Sequence, residues 1–417
     1  MYIENLLKNK SKNLILLGLM LNYFLFYTNL VLDDGSSWSL VQILVFISII
    51  SVIKYKSFSF NFIITLILFI GFFFITLNEY ISHFNKILSY KYLSEPLNNM
   101  VYQFSYIIPL IFLPTLIKET NFKENVFFNI ILYATIFSAI LNSYWNIKLD
   151  FSRALLVQKF SVIIIYDYCI IAISLISLTY SIQLRNRWSF LFITLSLINI
   201  ILIVLHGSRG AWLGLPIALF FIYMSYYKTH FSQVFFATIT SILLTLIIVY
   251  SPQSPIIQRI DQFKADTSEI RENNYYSSTG TRLSLWKFSI FEFKTAPFNG
   301  IGIEKFTNNL CDLKEKGVIP VCNPHAHNIL LQEMATHGLL GLITIITIFL
   351  APTTYFISFW RKYNNRKVKL ICISGIVFTT YIFICGLTDY FFLIGFSSLL
   401  FYLTIISLMS FSLNYKK

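Results

Sequence analysis

Apolar runs, each about as long as a helix needs to be to cross a bilayer, recur along the chain between short polar stretches. Twelve are counted, at residues 14–32, 38–53, 60–77, 101–117, 126–145, 161–183, 188–205, 211–227, 231–250, 338–360, 369–386 and 390–412. Several end in Trp or Tyr, as with Trp212, Tyr223, Tyr226 and Tyr227, which suits the two membrane interfaces. The pattern predicts an all-α polytopic membrane protein of about 12 transmembrane helices, built as one integral membrane domain over residues 1–417. The longest polar stretch, residues 251–337, lies between the ninth and tenth runs and reads as an extramembrane subdomain. Within it, residues 282–294 are dense in Leu, Trp, Phe and Ile and read as an interfacial or re-entrant helix, broken by Pro297, Gly300 and Gly302. In residues 78–100, Ile81, Phe84 and Leu88 share a helical face, so that loop is either an amphipathic helix on the membrane or a solvated connection. No internal repeat is found.

Composition agrees with the pattern. The chain is 56% hydrophobic and 12% charged, against about 25% charged in soluble proteins. The first run is long for a signal core and lacks a small-residue cleavage site, so it reads as the first span. The net charge of +13 is not a nucleic-acid signal, because the basic residues lie mostly in short loops. With the N-terminus in the cytoplasm, the cytoplasmic segments hold 17 Lys and Arg and the short outer loops hold 6. That asymmetry is the positive-inside pattern, and the reverse orientation inverts it. Both termini are then cytoplasmic. Residues 251–337, outside, balance nine basic residues with nine acidic ones.

Three outward-facing positions carry candidate chemistry. Arg209 sits in the turn 206–210, on the side where positive charge is disfavoured and near the positive end of the next helix. A bound anion removes both objections; snorkelling to lipid phosphates is the other reading. Arg282 follows Thr279-Gly280-Thr281; its guanidinium suits a diphosphate, while spacing alone favours a surface salt bridge. His327, in Asn323-Pro324-His325-Ala326-His327-Asn328, can take a proton from a sugar hydroxyl or orient it. The His325–His327 pair suggests metal, but no nearby carboxylate completes a site, and His325 reads as a loop residue. The one acidic pair, Asp33-Asp34, reads as a turn. Arg153 and Asp389 lie at the same outer level and are further candidates. Cys311 and Cys322, both in the outer segment, are either a disulfide or two reduced thiols.

Three blocks then resemble the O-antigen ligase superfamily, which also holds O-antigen polymerases and protein O-oligosaccharyltransferases. Ser208-Arg209-Gly210-Ala211-Trp212-Leu213-Gly214 is similar to its first signature. Thr281-Arg282-Leu283-Ser284-Leu285-Trp286, followed by Ala296-Pro297-Phe298-Asn299-Gly300-Ile301-Gly302, is similar to the second. His327-Asn328, nine residues, then Gly338-Leu339-Leu340-Gly341 resembles the pattern associated with the ligases themselves. The resemblance implies a GT-C-like, metal-independent, inverting membrane glycosyltransferase with no cofactor, in the inner membrane of a Gram-negative bacterium with its site in the periplasm. It implies transfer of O-antigen from undecaprenyl diphosphate to lipid A–core, with an O-antigen polymerase on the same donor as the alternative. Arg209 and Arg282, with Arg153, would bind the donor diphosphate. His327 would act on the acceptor hydroxyl, and Asn328, Gly338, Gly341 and Asp389 would support it. A transporter would show repeated halves or charged, broken mid-membrane helices, and the sequence shows neither, Asp167 being the only acidic residue well inside a run. A non-catalytic structural subunit would leave Arg209, Arg282 and His327 unexplained.

Overall fold

The computed structural model describes residues 13, 15–28, 110–160, 162–250, 255–323, 325–393 and 395–415. The runs at 38–53 and 60–77, most of the run at 101–117, the loop at 78–100 and the Asp33-Asp34 pair lie outside the described residues. Every regular element described is helical. In chain order these are α1 (Ile15–Thr28), α2 (residues 110–120), α3 (Glu124–Lys148), α4 (Arg153–Lys159), α5 (Ile163–Gln183), α6 (Trp188–Val204), α7 (Arg209–Tyr226), α8 (Phe231–Val249), α9 (Pro255–Arg271), α10 (Ser278–Thr295), α11 (Ile303–Glu315), α12 (Ile329–Lys362), α13 (Arg366–Gly386) and α14 (Gly395–Leu413), with a short 3-10 turn at Phe391–Leu393. Six of the described helices are long and apolar enough to cross a membrane, which is the pattern of a polytopic membrane protein.

The bundle is organised around α5. It is hydrophobic all round and almost wholly buried, packed by α3, α6, α7 and α13. Apolar lipid offers no hydrophobic drive between helices, so small and polar side chains set their registry. Asn199 of α6 donates to Ser174 Oγ of α5 at 2.9 Å, Ser177 and Ser196 pair at 2.9 Å, and Tyr166 donates to Asn142 of α3 at 3.2 Å. Tyr27 of α1 reaches Thr404 of α14 at 3.0 Å. At the opposite end from the site, Glu124 pairs with Lys367 at 2.6 Å.

The segment between α8 and α12 builds a second, smaller core from Leu285, Phe288, Phe306, Leu310, Ala326 and Ala335. Residues 282–294 fall within α10, which packs on α12 with Leu285, Phe288, Ser289 and Glu292 buried, while Ile290 and Phe291 stay exposed. Cys311 and Cys322 are disulfide-bonded here, with Cα atoms 4.6 Å apart, closing the loop after α11.

The tenth apolar run differs from its sequence boundary. The helix begins nine residues earlier, at Ile329, and bends at Gly338 (φ 65°, ψ −151°). The cause is backbone docking. Leu339 N donates to Pro297 O at 2.7 Å, Ile301 N to Ala335 O at 3.0 Å and Gly302 N to Thr336 O at 2.9 Å. A Cβ on Gly338 would collide with the backbone of Phe298 and Asn299, and its φ and ψ are open only to glycine. The second and third sequence blocks are therefore one structural joint.

Candidate functional site

Arg209 is the first residue of α7, placed there by the tight turn 205–208. Arg153 begins α4 and Ser278 begins α10. These helix ends line a cavity of about 70 Å³ together with Gly207, Ser208, Gly210, Arg259 and Arg282. Arg153, Arg209 and Arg282, separate in sequence, are thus brought together. Helix N-termini carry a partial positive charge and spare N–H groups, so α7 and α10 add to the field of the guanidiniums.

Few acids offset that charge. Arg209 Nη2 lies 3.4 Å from Asp266 of α9, while its Nη1 is buried with no hydrogen-bond partner among the described residues. Asp266 also accepts from the Thr279 hydroxyl at 2.6 Å, tying α9 to the start of α10. Burial, with Arg209 and Arg282 adding to it, pushes Arg153 below the ordinary arginine range despite the opposing charge of Asp167. Burial and the charges of Arg153 and Arg209 push Arg259 down to about 10. In both arginines burial is the larger cause and the neighbouring guanidiniums add to it.

Behind the cavity, Asp167 of α5 is fully buried. It bonds His206 Nδ1 at 2.7 Å and accepts from the Ser208 hydroxyl, while Arg153 Nη1 donates to His206 O at 2.6 Å. The turn carrying Arg209 is therefore pinned from α5. Arg259, Asp266 and this role of Asp167 were missed from sequence. In the sequence Asp167 is an acid inside an apolar run, but nothing local marks Arg259 among the other charges of its polar helix.

The second cluster lies at the start of α12. Asn328 caps the helix by accepting from Leu330 N and Leu331 N at 3.0 and 3.1 Å, and its amide donates to Leu387 O at 3.0 Å. His327, at φ 49°, holds the left-handed conformation that turns the chain into the helix. Its Nδ1 is 3.1 Å from Asp389 Oδ1, and Asn323 Nδ2 is 3.2 Å from its Nε2. His325 Nε2 reaches the same Asp389 oxygen at 3.3 Å. This corrects the ground on which His325 was set aside: the carboxylate that completes a cluster is absent nearby in sequence and arrives from the end of α13. Burial opposes ionisation of Asp389, but hydrogen bonds from His325 and His327 outweigh it and hold the carboxyl well below the usual range. Next to it, the Tyr390 hydroxyl donates to Glu333 of α12 at 2.6 Å. Gly341, a turn beyond Gly338, lies against Glu333 and His337 of the same helix across the bend, where a Cβ would not fit.

The two clusters share a wall. Gly210, which lines the cavity, packs so closely on the Tyr168 hydroxyl and on Thr388 that a Cβ would not fit. Tyr168 and Thr388 pair at 3.2 Å, and Thr388 precedes Asp389.

Residues 192–346 match the profile described as O-antigen ligase. All three sequence blocks fall inside the matched segment, whereas Arg153 and Asp389 lie outside it. An uncharacterised protein of Haemophilus influenzae is 32% identical over 180 residues, covering 42% of this chain and 44% of its own. The O-antigen ligase of Escherichia coli K12 is 24% identical over 220 residues, 50% of each chain. This chain thus spans about half the length of the curated relatives it matches.

Proposed function

We propose that the chain is an O-antigen ligase of the bacterial inner membrane, transferring O-antigen from undecaprenyl diphosphate to lipid A–core on the periplasmic face. The observation that carries this reading is the convergence of Arg153, Arg209, Arg259 and Arg282 on one cavity, one glycine from the Tyr168–Thr388 wall of the His327–Asp389 pair. The positive-inside asymmetry of Lys and Arg supports the orientation.

The transfer is inverting. The acceptor hydroxyl oxygen bonds to the anomeric carbon on the face opposite the diphosphate, the carbon–oxygen bond to the diphosphate breaks, and its electron pair leaves with the diphosphate. Arg209 and Arg282 stabilise that developing charge, which lets the reaction proceed without a metal. The hydroxyl proton goes to His327 Nε2. With Asp389 ionised, the proton of the neutral imidazole sits on Nδ1, facing the carboxylate, and Nε2 keeps the lone pair that accepts from Asn323. Asp389 is thus a positioning residue for the base.

Arg282→Ala or His327→Ala should abolish attachment of O-antigen to lipid A–core while the protein still inserts. Removing one preorganised donor of this kind costs about 100–1000-fold in rate. Normal laddered lipopolysaccharide from either variant would overturn the assignment. Deleting the gene separates ligase from polymerase. Loss of a ligase leaves long polymer on the carrier lipid, and loss of a polymerase leaves core capped with a single repeat unit.

A further inference from the structure

We propose that His325, His327 and Asp389 form a binding site for one zinc ion, and that filling it switches transfer off. The ligating atoms of the three side chains lie within 4.8 Å of one another. His327 Nδ1 and His325 Nε2 stand 3.1 and 3.3 Å from Asp389 Oδ1. A tetrahedral zinc with bonds of about 2.0–2.1 Å has ligand-to-ligand edges of roughly 3.3–3.4 Å. Two edges of the site are therefore close to the length zinc requires, and modest side-chain rotation admits the ion. Two imidazoles and one carboxylate are a zinc donor set, too rich in nitrogen for magnesium or calcium.

The donors are held rather than loose. His327 is locked between Asn323 and the Asn328 cap, and Asp389 Oδ1 also accepts from Tyr390 N at 2.8 Å. The Tyr390–Glu333 bond fixes that turn against α12. All three side chains are mostly buried, with His327 the most open at 20% exposure.

Occupation has a defined chemical consequence. Zinc on Nδ1 of a neutral imidazole forces the remaining proton onto Nε2. That nitrogen then has no lone pair for the acceptor's proton, and Asp389 is drawn from orienting His327 to binding the ion. This inhibitory half rests on the proposed function; the metal site itself does not.

The experiment uses tag-free, full-length protein in detergent, dialysed against zinc and then against metal-free buffer, with zinc counted by elemental analysis. His325→Asn is the companion variant, because it removes one of the three ligands and leaves His327 and Asp389 in place; its own zinc-free rate is the reference for its response to zinc, and its melting temperature checks that it folds. Wild type should retain about one zinc per chain and His325→Asn should lose it, since structural and catalytic zinc sites need at least three protein ligands. In a transfer assay with lipid-linked donor, saturating zinc should slow wild type by about 100-fold or more, the range of general-base catalysis, and leave His325→Asn largely untouched. No stoichiometric zinc on wild type, or equal zinc on the variant, overturns the site. Stoichiometric zinc with undiminished transfer overturns the inhibitory role. Were wild type inactive in the assay, that would count against the functional reading, while zinc stoichiometry would still decide the site.

Discussion

The guanidinium cavity and the imidazole cluster share a wall at Tyr168 and Thr388, yet they treat charge in opposite ways. In the cavity four arginines converge and Asp266 touches only one of them, at 3.4 Å. Positive charge is left over, and Arg153 and Arg259 are both held below the ordinary arginine range. In the cluster one carboxylate serves two imidazoles, and its hydrogen bonds more than repay its burial. On the proposed function, the contrast follows from what each region does. A site for a diphosphate gains by keeping charge unneutralised until the anion arrives. A base must present its lone pair at a defined atom, so its partner nitrogen is tied down beforehand.

The largest test of this contrast is Asp389→Asn. It removes the acceptor that keeps the proton on His327 Nδ1, and should lower transfer by about 100-fold or more, within the range of general acid–base catalysis, with donor binding retained. Single-turnover rates against donor concentration would show it; a loss confined to donor affinity would break the division of labour. The same variant bears on stability. The folded-state pKa of Asp389 is depressed, so its contribution is fully present above the unfolded carboxylate value of about 3.9 and is lost as pH falls through the lower folded value. Melting temperatures of Asp389→Asn should therefore run parallel to wild type at neutral pH and converge on it in acid.

Gly338→Ala comes next. It places a Cβ against Phe298 backbone in a conformation closed to alanine, at a cost of about 1–3 kcal/mol, and loosens the joint that seats α10 and the start of α12. Thermal unfolding in detergent should drop by several degrees, and an unchanged melt would mean the joint does not bear on stability.

The smallest effect is expected from Arg259→Gln, and its sign is the informative part. Burial and the neighbouring guanidiniums hold Arg259 below its ordinary pKa, so removing it should raise the melting temperature slightly while weakening donor binding by about tenfold, the scale of one charge-assisted contact. A variant both less stable and fully active would sink the view of the cavity as unsatisfied charge.

Much of this was legible along the chain. Apolar length marked a helix for each of the nine runs that lie largely within the described residues, because a bilayer-crossing backbone has to satisfy its own hydrogen bonds and that leaves a long apolar signature. In the sequence Arg209 stands out as chemically out of place, Arg282 and His327 through their side-chain chemistry and the second and third blocks, and Asp389 as an acid at the outer end of a span; the fold brings Arg209 and Arg282 to one cavity and His327 to Asp389. Arg259 was not, since a cation in a polar helix is ordinary until other cations are folded against it.

The limit is clearest in α5 and α8. The two are almost equally apolar, yet 94% of the first is buried against protein and 17% of the second. Lipid and a packed core are equally apolar, so hydropathy reports removal from water and not what replaces it. Sequence by itself determined that this is a helical chain of membrane-length segments with a few polar residues set against them. Only the tertiary structure decided which segment is the centre, that the second and third blocks form one joint, and that Asp389, 62 residues from His327, completes its cluster. Those are contacts between segments far apart in sequence, and their registry is set by packing that no local pattern encodes.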